Sequence, residues 1–273
     1  MPPRGLTGGR NSLEELLIQN ACIIDGTGSP GFMGSLTVSG ARITGIWKDP
    51  WYNIPARERL DSAGMVLCPG FVDTHTHSDM VLLHDGRQPA SITQGVTTEI
   101  LGQDGLSYAP LSPDNLRSYV LYLKGIDGMF CDVPLDFTST EQYLSRFEGK
   151  TGVNVAYLVP HCALRLETVG FENRLLTPSE MMLAQTMLRQ GIREGAKGLS
   201  TGLSYFPGAF SDTEELVELC KAVANEGGVY VTHLRTVFQG ERFDNVDEAL
   251  EIARRSGVKL HFSHYRTGGE TIG

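Results

Sequence analysis

The sequence contains no run of lysines and arginines, no C-x-x-C pair and no apolar stretch of bilayer-spanning length. Each absence removes a class of function. A formal net charge of −9 without a concentrated basic surface argues against nucleic acid or an acidic membrane as partner, since both are bound through clustered cations. A small anionic substrate needs only one or two local arginines and stays open. The cysteines Cys22, Cys68, Cys131, Cys162 and Cys220 are odd in number and widely spaced, which fits buried free thiols in a reducing compartment. Residues 1–10 have a positive residue near the start, Arg4, but no apolar core of signal-peptide length. A cytoplasmic protein with a loose N-terminus over residues 1–15 is expected.

What is present is an ordinary globular composition, 273 residues with 41% hydrophobic and 20% charged, enough for one large domain and a small one. Residues 16–66 carry short β-branched runs broken by Gly, Pro and Asp, as in Ser35-Leu36-Thr37-Val38, and read as a small β-domain. From residue 67 to 273 the rhythm becomes strand, loop and helix. Strands are predicted at 65–72, 97–101, 153–159, 198–203, 228–232 and 258–263, several preceded by helix-like stretches. Ser211-Asp212-Thr213-Glu214 has capping-box spacing, a helix follows over 214–224, and Gly227 stands where it should stop. A second helix over 246–255 stops at Gly257 and leads into the last strand. Such crossovers belong to parallel strands, so the α/β class is expected, with a (β/α)8 TIM barrel first and a doubly wound sheet as the alternative. Six strands are two short of a closed barrel, so the barrel is expected to be incomplete at Gly273.

His75 and His77 lie at the end of the first barrel strand, in Pro69-Gly70-Phe71-Val72-Asp73-Thr74-His75-Thr76-His77. Residues two apart on a strand project to one side, so the two imidazoles can share a metal. His233 and His264 are one β/α unit apart, which places each at the end of its strand on the same barrel face. Active sites of such barrels occupy that C-terminal face, so four histidines converge there. Neutral imidazoles are favoured zinc ligands, and zinc brings the pKa of its bound water to about 7. His261 has the opposite strand parity to His264, and with His84 and His161 is read as structural.

With those residues in view, the chain resembles the N-acyl-D-amino-acid deacylase (D-aminoacylase) branch of the amidohydrolase superfamily over nearly its whole length. The resemblance is carried by residues 69–79, Gln94-Gly95-Val96-Thr97-Thr98, residues 198–205, Thr232-His233-Leu234-Arg235 and Ser263-His264. It implies a metal-dependent-hydrolase barrel, a small β-domain built from both chain ends, Zn2+, and hydrolysis of N-acyl-D-amino acids to a D-amino acid and a carboxylate. By the same resemblance His233 and His264 are ligands of a tight zinc, and His75 and His77 of a weaker second site. Where the family places a metal-binding cysteine in a G-N-C-G turn, this chain has Gly102-Gln103-Asp104-Gly105. Asp104 can supply a carboxylate, a harder ligand than thiolate, or can serve only as an Asx-type turn residue. Lys197 falls three residues before Ser200, the position of the bridging lysine in hydantoinase-like relatives, and is read as a surface residue.

Tyr205 and Arg266 resemble the family's carboxylate-binding tyrosine and lysine, and arginine can grip a carboxylate bidentately. Arg266 could equally be a solvated loop cation, and Arg235 either a second anion contact or a salt-bridge partner. The family's general base is an aspartate on the last barrel strand. No residue up to Gly273 matches it, so that base is expected to lie beyond Gly273 and residues 1–273 alone are expected to be inactive. The expected partner is a small N-acyl amino acid. Two rival readings stay open: a dihydropyrimidinase-like or dihydroorotase-like cyclic amidase, and an inactive metal-binding fragment.

Overall fold

The computed structural model describes residues 13–235 and 244–264. The chain divides after Gly70 into two compact units.

The first unit is one mixed sheet of β1 (Glu14–Ile23), β2 (Phe32–Ser39), β3 (Arg42–Trp47), β4 (Ala56–Asp61) and β5 (Val66–Leu67). The order is β3-β2-β1-β4, with β5 also beside β1. β1, β2 and β3 form an antiparallel meander, whereas β4 and β5 run parallel to β1. Asn20, at φ 58°, sits where the β1–β2 register shifts; a left-handed residue here is a bulge, and asparagine tolerates it better than most side chains. Ile18, Ala21, Ile23 and Leu36 form a small core of their own.

The second unit alternates parallel strands with helices. Its strands are β6 (Phe71–Asp73), β7 (Val96–Leu101), β8 (Asn154–Tyr157), β9 (Val159–Pro160), β10 (Gly198–Gly202), β11 (Val229–His233) and β12 (Lys259–Phe262). Its helices are α1 (Asp79–His84), α2 (Pro89–Ile92), α3 (Pro113–Leu123), α4 (Thr140–Ser145), α5 (His161–Thr168), α6 (Pro178–Arg193), α7 (Thr213–Asn225) and α8 (Asp244–Ser256). All strand pairings are parallel, in the orders β6-β7-β8 and β12-β11-β10-β9. This is the α/β architecture that the crossover lengths predicted. Apolar side chains of strands and helices, among them Leu101, Tyr157, Leu199, Tyr230, Leu188, Leu216 and Val223, make one continuous core.

Two predicted strands are each divided. The stretch 65–72 breaks at Cys68-Pro69-Gly70: its first part pairs with β1 in the first unit, its second with β7 in the other. The stretch 153–159 breaks at Leu158, whose N–H still donates to the Leu101 carbonyl (3.1 Å) before β9 turns to β10. The cap of α7 also differs from expectation. Asp212 is the cap, its carboxylate accepting from the Glu215 N–H (2.8 Å), while the Ser211 hydroxyl donates to the Gly208 carbonyl (2.7 Å). A reciprocal capping box occurs instead at α6, between Thr177 and Glu180. Cys162 and Cys220 are buried thiols as expected, but Cys68 and Cys131 are exposed. The expected stop of the barrel at Gly273 falls outside the described residues. Among the described residues no helix is long and apolar enough to cross a membrane.

Candidate metal centre

The site is built around the turn that follows β7. Gly102 (φ 77°), Asp104 (φ 56°) and Gly105 (φ 68°) all take left-handed backbone, folding Gln103–Gly105 into one tight 3-10 turn. A Cβ at Gly102 would lie 2.2 Å from the Leu158 carbonyl oxygen, and one at Gly105 2.8 Å from the Gly202 nitrogen, so neither position admits a side chain. Ser200 on β10 clasps the turn from the next strands: its hydroxyl donates to the Gly102 carbonyl and accepts from the Gly105 N–H (3.0 Å). The Gln103 amide donates to the carbonyls of Thr74 (2.9 Å) and Ile100 (3.0 Å), tying the turn to the segment that carries His75 and His77. Asp104 is thereby fixed with 1% of its surface exposed.

Four imidazoles face one oxygen of that carboxylate. Asp104 Oδ2 is 3.6 Å from His75 Nε2, 3.5 Å from His77 Nε2, 3.4 Å from His233 Nδ1 and 3.6 Å from His264 Nε2. The two pairs arrive by different routes. His233 is the last residue of β11, and His264 follows β12 by two residues, with the Ser263 N–H still donating to the Thr232 carbonyl (2.9 Å). Their ring nitrogens are 2.6 Å apart. His75 and His77 lie past the end of the three-residue β6 rather than on it. The Asp73 carboxylate accepts from the His75 N–H (3.0 Å), an Asx turn that ends the strand, so it is the loop and not strand parity that brings both rings to Asp104.

Asp104 thus belongs to two groups of potential metal donors, His75–His77–Asp104 and Asp104–His233–His264, in each of which the donor atoms lie within 4.8 Å of one another. The other Asp104 oxygen, His75 Nδ1 and His77 Nδ1 are buried without a hydrogen-bond partner. Burial alone would raise the Asp104 pKa, but the imidazoles of His233, His75 and His77 outweigh it and hold the carboxyl well below the usual range. His77 shows the reciprocal effect: burial works to discharge it, the Asp104 carboxylate prevails, and its pKa is raised. Among the described residues the ion partners of Asp104 are all histidines, with no lysine or arginine. A buried carboxylate amid imidazoles and without a resident cation is a donor set suited to a divalent transition metal.

Tyr205 follows β10 and brings its ring centroid to 5.1 Å from that of His233. Arg266 lies outside the described residues, and so does Gly273, beyond which the resemblance puts the general-base aspartate. Arg235 is a salt-bridge partner: it grips Glu248 at 3.0 and 3.1 Å and donates to the carbonyls of Ala209 and Ser211. Lys197 and His261 are exposed. His84 pairs with Asp132 and stacks on Phe130, and His161 pairs with Glu215 (2.8 Å); neither joins the Asp104 group.

Sequence reading missed three groups behind His77. Asp79 is fully buried, accepting from the hydroxyls of Ser107 (2.5 Å) and Tyr143 (3.1 Å). Asp127, 2% exposed, accepts from the Tyr108 hydroxyl (2.8 Å), and burial, then the Asp79 charge, pushes it up to about 7. Asp79 was within reach as the end of the 69–79 motif, whereas Asp127 and Tyr108 stand in an aperiodic stretch that carries no signal.

No protein-family model matches the chain. A D-aminoacylase of Alcaligenes xylosoxydans xylosoxydans is 33% identical over 258 residues, 94% of this chain and 51% of the relative. The chain is a homologue of the D-aminoacylases. It spans about half the length of the curated relatives it matches. A crystal structure of D-aminoacylase that defines a subset of amidohydrolases superposes on this homologue with a TM-score of 0.80 at 33% identity, covering 93% of this chain and 52% of that one. An N-acyl-D-glutamate deacylase from Bordetella bronchiseptica, complexed with zinc and a phosphonate mimic of the tetrahedral intermediate, superposes with a TM-score of 0.80 at 31% identity, covering 91% and 51%.

Proposed function

We propose that the protein hydrolyses the amide bond of N-acyl-D-amino acids, giving a D-amino acid and a carboxylate, with zinc held at Asp104. The observation that carries this reading is the single carboxylate oxygen faced by four imidazoles. Its support is the homology to D-aminoacylases and the zinc in the related N-acyl-D-glutamate deacylase.

His233, His264 and Asp104 would hold the tight metal, and His75, His77 and Asp104 a weaker second one. Bound zinc would polarise the substrate carbonyl and supply hydroxide at neutral pH. The residues of the chain do the rest. Ligation needs neutral imidazoles with free lone pairs and an ionised Asp104, whose carboxyl the surrounding imidazoles hold below its usual range. Its carboxylate, in place of the thiolate of the family pattern, makes the site harder and shifts preference away from soft metals. Tyr205, beside His233, and Arg266 would clamp the α-carboxylate of the substrate and fix which amide bond meets the metal.

The test is a substrate panel on the purified protein. N-acetyl-D-amino acids should be hydrolysed, with activity lost to a chelator and restored by zinc. Turnover of hydantoins or dihydropyrimidines but of no acyclic N-acyl amino acid would overturn the proposal in favour of a cyclic amidase.

A further inference from the structure

We propose that Asp127 is a positioning residue for His77: its carboxylate accepts the Nδ1 hydrogen of that imidazole and so selects the tautomer whose Nε2 is free to face Asp104. The inference rests on the metal-binding reading of the site, and names the group that sets the orientation of one ligand.

Two observations carry it. His77 Nδ1 and Asp127 Oδ1 are both buried polar atoms without a hydrogen-bond partner, and they lie 4.0 Å apart. Both are shut off from solvent, so the partner each lacks is the other, and a small rotation of either side chain closes the gap to hydrogen-bond length. The opposite edge of the same imidazole already has its role, with Nε2 3.5 Å from Asp104. Asp127 is itself held from behind: Oδ2 accepts from the Tyr108 hydroxyl (2.8 Å), and its backbone N–H donates to the Leu123 carbonyl at the end of α3 (3.0 Å). The free oxygen is therefore aimed rather than loose.

Asp79, the other buried carboxylate nearby, does not compete for this role. Both its oxygens have donors, from Ser107 and Tyr143 on one and the Gly102 N–H (3.5 Å) on the other. His75 has no equivalent of Asp127: its Nδ1 is also unpaired, but among the described residues no carboxylate besides Asp104 forms an ion pair with it. Outer carboxylates of this kind fix ring orientation and raise ligand basicity, and their loss weakens metal binding by about 10–100-fold.

The test uses the full chain labelled with 15N-histidine, in wild type, Asp127→Asn, Asp127→Leu and Tyr108→Phe. In metal-free wild type, at a pH where His77 is neutral, its nitrogen shifts should report a proton on Nδ1 and none on Nε2. Asp127→Leu should move them toward the mixed-tautomer average, Asp127→Asn, which keeps an acceptor oxygen, should move them less, and Tyr108→Phe, the mildest change in the core, least. By chelator competition Asp127→Leu should weaken zinc at the His75–His77 pair by about 10–100-fold while the zinc at His233 and His264 is retained. Unchanged His77 shifts and unchanged zinc affinity in folded Asp127→Asn and Tyr108→Phe would overturn the assignment. If wild type takes up no zinc, the metal reading fails, and the tautomer measurement still decides the role of Asp127.

Discussion

Two buried carboxylates in the second unit sit among histidines, and they are balanced in opposite ways. Glu215 on α7 has one oxygen on His161 Nε2 (2.8 Å) and the other on the Arg165 guanidinium, which also donates to the Arg174 carbonyl (2.7 Å). Burial raises its pKa, but His161 and then Arg165 outweigh that and the net shift is downward. Its charge is cancelled by a permanent cation of the chain. Asp104 is as deeply buried, faces four imidazoles where Glu215 meets His161 alone, and has one oxygen with no partner. The difference teaches where to look for a ligand: a buried anion closed by arginine has its counter-charge within the core, and one faced only by imidazoles leaves a set of donor atoms suited to a cation from solution.

The largest effect expected from this contrast is on stability at Glu215. Glu215→Ala leaves Arg165 buried and uncompensated and should lower the unfolding free energy by about 3–5 kcal/mol in denaturant titration, with zinc content unchanged. A loss below about 1 kcal/mol, or loss of zinc, would erase the distinction between the two centres. Because the folded pKa of Glu215 is lowered, its stabilisation is present above its unfolded value near pH 4.3 and is lost as pH falls through the lower folded value. Glu215→Gln should remove that acid-side slope.

Next comes the proposed substrate clamp. Arg266→Ala should raise KM for free N-acyl amino acids more than for their amides, by up to about 2–5 kcal/mol in kcat/KM for a buried pair. Equal effects on acid and amide would remove the clamp. A smaller effect is expected at Ser200, the clasp of the Asp104 turn. Ser200→Ala orphans the Gly105 N–H and the Gly102 carbonyl and should cost about 1–3 kcal/mol, together with faster loss of zinc to a chelator. Retention of zinc at the wild-type rate would show that the glycines alone hold the turn. Asp104→Cys, the mildest change, should slow zinc loss by restoring a soft ligand, and faster loss would count against Asp104 as a ligand.

The histidine side of this contrast could be read from spacing, whereas Glu215 and Arg165 carried no signal in the sequence. The β/α repeat puts His233 and His264 at neighbouring strand ends, because backbone ladders enforce register over a whole unit. The Gly102-Gln103-Asp104-Gly105 turn was picked out by the resemblance to the family's G-N-C-G turn, and the structure adds that both glycines sit where no Cβ fits. Reading was weaker where side chains rather than ladders set position. His75 and His77 leave their strand at an Asx turn, and the cap of α7 falls on Asp212 because the Ser211 hydroxyl is engaged with Gly208. The break at Leu158 and the groups behind His77 depend on contacts between distant segments, Tyr108 with Asp127 and Ser107 with Asp79, for which the sequence has no period.

The most direct test of the metal centre is elemental analysis of the purified protein beside His233→Ala, His264→Ala and Glu215→Gln. The geometry around Asp104 predicts that zinc purifies with wild type and Glu215→Gln and is lost from both histidine variants. Equal zinc in all four proteins, or none in wild type after equilibration with zinc, would contradict it.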